Sequence, residues 1–144
     1  REARTWSKLS HQNVLPLLGI TTDFDDAISM VSTWMDNGNA HHHVQNPEVD
    51  PRPLVSYILV VQLRDIAQGL HYLHTHEPGA IFHGDLKGYN VLISPEGRAL
   101  LTDFGLSRVI NSSLSRPQPL SGAGTLRWMA PEILDGGEPS DASD

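Results

Sequence analysis

The sequence predicts an α+β fold in which one long buried helix lies beside two small pairs of antiparallel strands. Two apolar runs, "VLPLLGI" and "AISMVSTWM", flank the acidic turn "TDFDD", and two shorter runs, "VLI" and "ALLTD", flank the turn "SPEGR". From Leu54 to about His74 the apolar residues recur at alternating steps of four and three, the spacing of one buried helix face. The residues of this stripe are Leu59, Leu63, Ile66, Leu70 and Leu73.

The remaining segments complete this order along the chain. Glu2 to Leu9 has the spacing of the end of a helix, and the break "HQN" separates it from the first strand pair. Gly38 in "MDNGNA" ends the second strand of that pair. The patch "AHHHV" at 40–44 is interpreted as a solvated turn, because adjacent His residues do not share a helix face and so make a poor three-ligand metal site.

Composition limits the classes of partner and location. At 144 residues with 39% hydrophobic residues, the chain is long enough for one modest core. Its formal charge is −7 and no two Lys or Arg residues are adjacent, so we expect no nucleic acid partner and no anionic lipid surface. The chain has no cysteine and no apolar run of membrane-spanning length, so we expect a cytoplasmic protein without membrane insertion.

The segment "HGDLKGYNVLI" at 83–93 places an acid, an amine and a carboxamide on one loop between the helix and the second strand pair. A carboxylate fixed on a loop can accept a proton from a hydroxyl, and oxygen ligands suit Mg²⁺. Asp103 follows Asn90 by thirteen residues, one strand out and one strand back, so the two side chains could share one metal ion. Alternatively, Asp85 and Asn90 are simply turn residues, a role that Asx side chains favour.

Four motifs in order resemble a eukaryotic protein kinase of the tyrosine-kinase-like serine/threonine type. They are "REARTWSKLSHQNVLPLLGI", "HGDLKGYNVLI", "DFG" at 103–105 and "GTLRWMAPE" at 124–132. The resemblance runs from Arg1 to about Leu134 and corresponds to about half of a kinase domain. It implies a partial protein kinase-like fold, transfer of the γ-phosphoryl group of ATP to Ser or Thr hydroxyls of protein substrates, and a place in signal transduction.

The resemblance assigns roles to the residues of the loop. Asp85 would be the catalytic base, and Lys87 would steady the transferred phosphoryl group. Asn90 and Asp103 would hold Mg²⁺. Thr125 resembles the threonine that contacts the base loop in serine/threonine kinases, and Lys87 also favours Ser/Thr over Tyr acceptors.

Further roles concern the nucleotide. "MVSTWMDNG" resembles the hinge, with Ser32 at the gatekeeper position and the backbone of Thr33, Trp34 and Met35 facing adenine. Leu92 would form part of the floor under the base, and Glu2 resembles the helix glutamate that pairs with the phosphate-binding lysine. The rings of Trp6, His83 and Phe104 would stack with Leu17 as a regulatory spine.

The same resemblance predicts a division of the chain. Residues 1–35 would be a remnant of the small lobe and the hinge, and residues 36–134 a portion of the large lobe with the catalytic loop and activation segment. Residues 135–144 are expected to form a frayed tail. In the family a Gly-rich loop and a "VAIK"-type lysine would precede Arg1, and more helices would follow Glu132. We therefore expect the fragment alone to be inactive and prone to aggregate.

Two rival functions stay open. One is a pseudokinase-like scaffold or binding module, which the sequence upstream of Arg1 would distinguish from an enzyme. The other is an aminoglycoside-type small-molecule phosphotransferase, which would lack the "GTLRWMAPE" segment. Many protein kinases have arginine at the position of Gly84, where it pairs with a phosphate on the activation segment. Glycine there predicts activation without phosphorylation of Ser112, Ser113, Ser115 or Ser121, although a tight backbone approach would equally explain it.

Overall fold

The computed structural model describes residues 2–23, 28–46, 51–104, 108–109, 126–138 and 140–144. The side chains of Glu2, of residues 51–59 and of residues 108–109 lie outside this description. The helices are α1 (Glu2–Trp6), α2 (Ala40–His43), α3 (Pro51–His74) and α4 (Pro131–Leu134), with 3₁₀ turns at Gly88–Asn90, Leu126–Trp128 and Asp141–Ser143. The strands are β1 (Leu17–Thr21), β2 (Ser29–Ser32), β3 (Ile81–Phe82), β4 (Val91–Ile93), β5 (Ala99–Leu101) and β6 (Arg108–Val109).

The predicted α+β fold is confirmed as mixed helix and small antiparallel sheets. Strands β1 and β2 pair antiparallel, as do β4 and β5, so both strand pairs expected from the sequence are present. A third pair, β3 with β6, joins the segment before the loop at 83–90 to the segment after "DFG" and was not predicted. Among the described residues, the six strands therefore form three separate two-stranded sheets.

Helix α3 confirms the predicted helix, but the predicted buried face is partly wrong. Leu73 is fully buried and Ile66 and Leu70 pack against the core, whereas Leu63 is 62% exposed. The side chain of Leu59 lies outside the described residues. Within the described part of the chain, no helix combines the length and apolarity that crossing a bilayer requires.

The face of α3 that meets the hairpin is turned by about one residue from the apolar stripe. A Cβ atom at Gly69 would lie 2.9 Å from both the Asn13 carbonyl oxygen and Leu101 Cδ1, so the helix backbone approaches the hairpin directly at this glycine. Gln62 and Asp65 are buried on the same face. A pattern of apolar residues could not predict this face, because two of its positions are polar.

The hairpin β4–β5 lies at the centre of the core. Its strands are buried along almost their whole length, and they pair in the register Val91↔Leu101, Leu92↔Leu100 and Ile93↔Ala99. The loop after α1 also joins β5, because Leu15 N donates to the Leu101 carbonyl at 2.9 Å. The buried apolar cluster contains Trp6, Leu9, Val14, Leu15, Leu73, Ile81, Val91, Ile93, Ala99, Leu100, Leu101 and Phe104.

The interpretation of "AHHHV" as a solvated turn is wrong. Residues Ala40–His43 form α2, which begins at the N-cap Asn39, whose Oδ1 accepts a hydrogen bond from His42 N at 3.0 Å. The His41 ring stacks on Tyr89 of the catalytic loop with ring centroids 4.1 Å apart. The histidine patch therefore packs partly against the loop instead of lying free in solvent.

Candidate active site

The catalytic loop predicted from the sequence brings Asp85, Lys87 and Asn90 together. Asp85 Oδ2 accepts hydrogen bonds from Lys87 Nζ at 2.6 Å and from Asn90 Nδ2 at 2.9 Å. Asn90 Nδ2 also donates to the Asp85 carbonyl at 2.9 Å, so the loop closes on itself. The interpretation of these residues as independent turn formers does not account for this mutual bonding.

The carboxylate of Asp85 has one oxygen held and one oxygen unpaired. Its side chain is 9% exposed, and Oδ1 has no hydrogen-bond partner among the residues that the structure describes. A buried oxygen without a donor carries a desolvation penalty of about 1–3 kcal/mol, so it favours the arrival of a donor. The arrangement suits a group that accepts a proton from a bound hydroxyl.

His83 fixes the start of the loop from inside the core. Its Nε2 donates to the Thr102 carbonyl at 2.9 Å, and its Nδ1 accepts a hydrogen bond from Asp85 N at 3.3 Å. This bonding requires the neutral ring with the proton on Nε2. Burial lowers the pKa of His83 below its ordinary value, against the opposing effects of the Thr102 carbonyl and the carboxylates of Asp144, Asp103 and Asp85.

Asp144 anchors the loop from the end of the chain. Its Oδ2 accepts from His83 N at 2.7 Å and contacts His74 Nε2 at 2.9 Å, and its Oδ1 accepts from Gly84 N at 2.7 Å. The expectation of a frayed tail over residues 135–144 is therefore wrong for its last residue. Sequence reasoning missed Asp144 because it is one of three aspartates in "DGGEPSDASD", and no local pattern distinguishes it.

Two residues of the site have a positive φ angle. Gly84 has φ 79°, a conformation that glycine adopts without a steric penalty. This supports a structural reason for glycine at the position where many kinases have arginine, and its N–H is used by Asp144. Asp103 has φ 61°, which costs a residue with a Cβ atom roughly 1–2 kcal/mol. Such strain is typical of functional sites.

The hairpin brings Asp103 back to Asn90, as the sequence predicts. Thr102 N donates to the Asn90 carbonyl at 3.0 Å, so Asp103 follows one residue after this bond. The Asp103 side chain is exposed, and Asn90 points its Nδ2 to Asp85, which leaves its Oδ1 as the atom able to reach a cation. Two hard oxygen donors at one end of a hairpin fit Mg²⁺.

The contacts predicted between the rings of Trp6, His83 and Phe104 are present behind the site. Phe104 lies between Trp6 and His83, with ring centroids 5.9 Å and 5.4 Å away respectively. Leu17 packs against the same core. Trp6 Nε1 donates to the Leu15 carbonyl, which ties α1 to the segment that leads into β1. The regulatory role of this stack stays a prediction.

The predicted nucleotide residues lie along one segment beside β4. Ser32 ends β2, Trp34 is 83% exposed and Met35 packs against the core. The following segment reaches β4, because Ile93 N donates to the Gly38 carbonyl at 2.9 Å and Asn39 bridges to Leu92. The segment that follows the hinge candidates therefore lies beside the predicted floor residue. The side chain of Glu2 lies outside the described residues, as do Thr125 and the activation-segment serines.

Comparisons with known proteins also indicate a protein kinase domain. The family model described as "Protein kinase domain" matches residues 1–144. The chain is 38% identical over 151 residues to receptor-interacting serine/threonine-protein kinase 3 of Rattus norvegicus, covering 100% of this chain and 30% of that protein. It is 34% identical over 125 residues to L-type lectin-domain containing receptor kinase I.7 of Arabidopsis thaliana, covering 87% and 18% respectively.

A further relative is the probable serine/threonine-protein kinase drkC of Dictyostelium discoideum, 34% identical over 137 residues, or 93% of this chain and 17% of that protein. The chain thus spans 30% or less of the length of these curated relatives. The family model nevertheless covers the chain from its first to its last residue. The chain belongs to the protein kinase family.

Proposed function

We propose that the full-length protein transfers the γ-phosphoryl group of ATP to Ser or Thr hydroxyls of protein substrates. The observation that supports this most directly is the Asp85 carboxylate, with Oδ2 held by Lys87 and Asn90 and Oδ1 unpaired among the described residues. A base for this reaction must be fixed in position yet have one free oxygen for the hydroxyl proton. Asp85 meets both conditions.

In this mechanism the substrate hydroxyl donates a hydrogen bond to Asp85 Oδ1. As the hydroxyl oxygen bonds to the γ-phosphorus, the bond from that phosphorus to the bridging oxygen of ADP breaks and the proton passes to Asp85. Lys87 Nζ, 2.6 Å from Asp85 Oδ2, supplies positive charge beside the transferred group. Asn90 and Asp103 would hold Mg²⁺, which neutralises phosphate charge when bound.

The nucleotide would lie between the hinge and β4. We assign adenine recognition to the backbone of Thr33, Trp34 and Met35, with Ser32 at the gatekeeper position and Leu92 beneath the base. The pairing of residues 38 and 39 with β4 supports this placement, because these residues closely follow the proposed hinge in the chain. Glu2 is proposed to pair with a phosphate-binding lysine.

The acceptor class and the cellular location complete the proposal. Lys87 in the loop and the serine/threonine kinase names of two relatives support Ser or Thr acceptors over Tyr. The acidic net charge of −7 supports a protein substrate rather than a nucleic acid. We propose a cytoplasmic site of action, where ATP and free Mg²⁺ are both available.

The test is phosphoryl transfer by the purified full-length protein from γ-labelled ATP to a generic protein substrate, followed by phosphoamino acid analysis. We expect label on Ser and Thr, and a kcat on the order of 10²–10⁴-fold lower in Asp85→Asn. Asp23→Asn, at an exposed position next to β1, is the matched control and should retain wild-type activity. Equal activity of Asp85→Asn and wild type would refute the assigned base.

The same experiment separates the two rival functions. A folded wild-type protein that binds ATP but transfers no label would favour the scaffold or binding module. Label on an added aminoglycoside in place of protein would favour the small-molecule phosphotransferase. Either outcome would replace the proposed function.

A further inference from the structure

Helix α3 carries a buried carboxylate that the proposed mechanism does not use. Asp65 is 3% exposed, and its carboxylate accepts three hydrogen bonds. Arg98 Nε donates to Oδ2 at 2.9 Å, Arg98 Nη2 donates to Oδ1 at 3.2 Å, and Ala99 N donates to Oδ2 at 3.1 Å. Because Asp65 loses its hydration on burial while the Arg98 side chain is still 41% exposed, the pair is weak evidence for a role in stability alone.

The three bonds end at one position, the start of β5. Arg98 follows the turn of the hairpin and Ala99 is the first residue of the strand. The Ala99 carbonyl is held as well, because Asn13 Nδ2 donates to it at 3.1 Å. The peptide groups on both sides of Ala99 are thus bound by residues that are distant in the sequence.

The position of β5 decides where Asp103 lies. Strands β4 and β5 contain three residues each, so few ladder bonds fix their register. Asn90 directly precedes β4 and Asp103 follows β5 by two residues. A slip of one residue would move Asp103 by about 3.3 Å relative to Asn90. Mg²⁺ requires near-ideal ligand geometry at about 2.0–2.1 Å, so it would not tolerate this displacement.

We propose that Asp65 is a positioning residue for the magnesium ligands. By binding Arg98 and Ala99, it fixes β5 against α3 and therefore places Asp103 opposite Asn90. This inference rests on the proposed function, since it takes Asn90 and Asp103 as the ligands of the metal ion. Asp65 itself touches neither nucleotide nor metal, and it acts only through the hairpin.

The test uses Asp65→Asn in the full-length protein, with Arg64→Gln as the matched control at an exposed position of the same helix. We expect Asp65→Asn to raise the Mg²⁺ concentration at half-maximal activity about tenfold, the usual effect of removing a group that orients metal ligands. The kcat at saturating Mg²⁺ should stay within about threefold of wild type. A general loss of structure would lower kcat in proportion to the folded fraction and would leave the Mg²⁺ dependence unchanged.

Arg98→Gln provides a second variant should Asp65→Asn fold poorly. It removes two of the three bonds and keeps the Ala99 bond, so we expect a smaller rise of the half-maximal Mg²⁺ concentration, about threefold. The double variant should add little to Asp65→Asn, because both substitutions break the same contact. If the effects of the two single substitutions on the half-maximal Mg²⁺ concentration were additive, they would not act through the same contact.

Metal binding is also measured without turnover, by titrating Mn²⁺ into each protein with a non-hydrolysable ATP analogue and following its paramagnetic resonance. Weaker Mn²⁺ binding by Asp65→Asn supports the inference even if the wild type proves inactive, in which case only the proposed function fails. Mn²⁺ affinity and Mg²⁺ dependence within twofold of wild type, in a folded Asp65→Asn protein, would overturn the inference.

Discussion

The two hairpins β1–β2 and β4–β5 both carry apolar side chains but lie in opposite environments. Strands β4 and β5 are apolar at every position, and β1 also carries three apolar side chains, yet Leu18 and Ile20 on β1 are 64% and 59% exposed. Every residue of β5 is buried. An apolar side chain on a strand therefore does not by itself place that residue in the core.

Polar contacts distinguish the two hairpins. The buried hairpin is bound by Asp65 from α3 and by Asn13 from the loop after α1, and both contacts converge on Ala99. Among the described residues, no side chain of β1 or β2 forms an ion pair with another element. A few buried polar groups thus select the hairpin that carries the site, because an alternative packing would leave those groups unsatisfied.

The largest predicted difference between the hairpins is the loss of stability when an apolar side chain is replaced by Ala. In the 144-residue chain, Leu101→Ala on β5 should lower the free energy of unfolding by about 2–5 kcal/mol, since it leaves a cavity in a close-packed site. Ile20→Ala on β1 should change it by no more than about 0.5 kcal/mol. Urea unfolding measures both values. Similar losses for the two variants would show that β1 is also covered.

A smaller effect is predicted at the end of the chain. Asp144→Ala removes the acceptor for the N–H groups of His83, which is buried, and of Gly84, which is exposed. Leaving the His83 donor unpaired costs about 1–3 kcal/mol. We expect hydrogen exchange to accelerate at these two amides while the amides of β4 and β5 stay protected. Asp141→Ala, at an exposed position nearby, is the control. Uniform acceleration through the hairpin would indicate that Asp144 stabilises the whole core.

The pH dependence of the free energy of unfolding tests the role of His83, the buried residue at the start of the same loop. Burial lowers the pKa of His83 in the folded state, so below its ordinary value of about 6.5 the unfolded chain binds a proton that the folded chain does not. The free energy of unfolding should therefore have its full value above this pH and should decrease as the pH falls below it. His83→Gln should reduce this slope, whereas His71→Gln, at an exposed site, should retain it. An unchanged slope in His83→Gln would assign the effect to other groups.

Much of the site could be predicted because its residues are close in sequence. Asp85, Lys87 and Asn90 lie within one loop, and Asp103 returns through a hairpin whose turn is visible in "SPEGR". The two strand pairs and the long helix follow from apolar spacing alone. These features depend on local preferences, which a single sequence displays.

The features that sequence reasoning missed depend on contacts between distant residues. The buried face of α3 was misplaced because Asp65 is satisfied by Arg98, which lies beyond the catalytic loop. The role of Asp144 depends on backbone groups of His83 and Gly84, which no side-chain pattern reveals. The packing of His41 on Tyr89 likewise joins segments far apart in the chain.

The most direct test of the account separates the base from the metal ligands in the full-length protein. We expect Asp85→Asn to bind Mg²⁺ and an ATP analogue within about threefold of wild type and to lose transfer by on the order of 10²–10⁴-fold. Asp103→Asn should instead lose at least about tenfold in Mg²⁺-dependent nucleotide affinity. Calorimetric titration beside single-turnover transfer measures both quantities. Equal losses of affinity in the two variants, with equal remaining transfer, would contradict the assignment of separate roles at this loop.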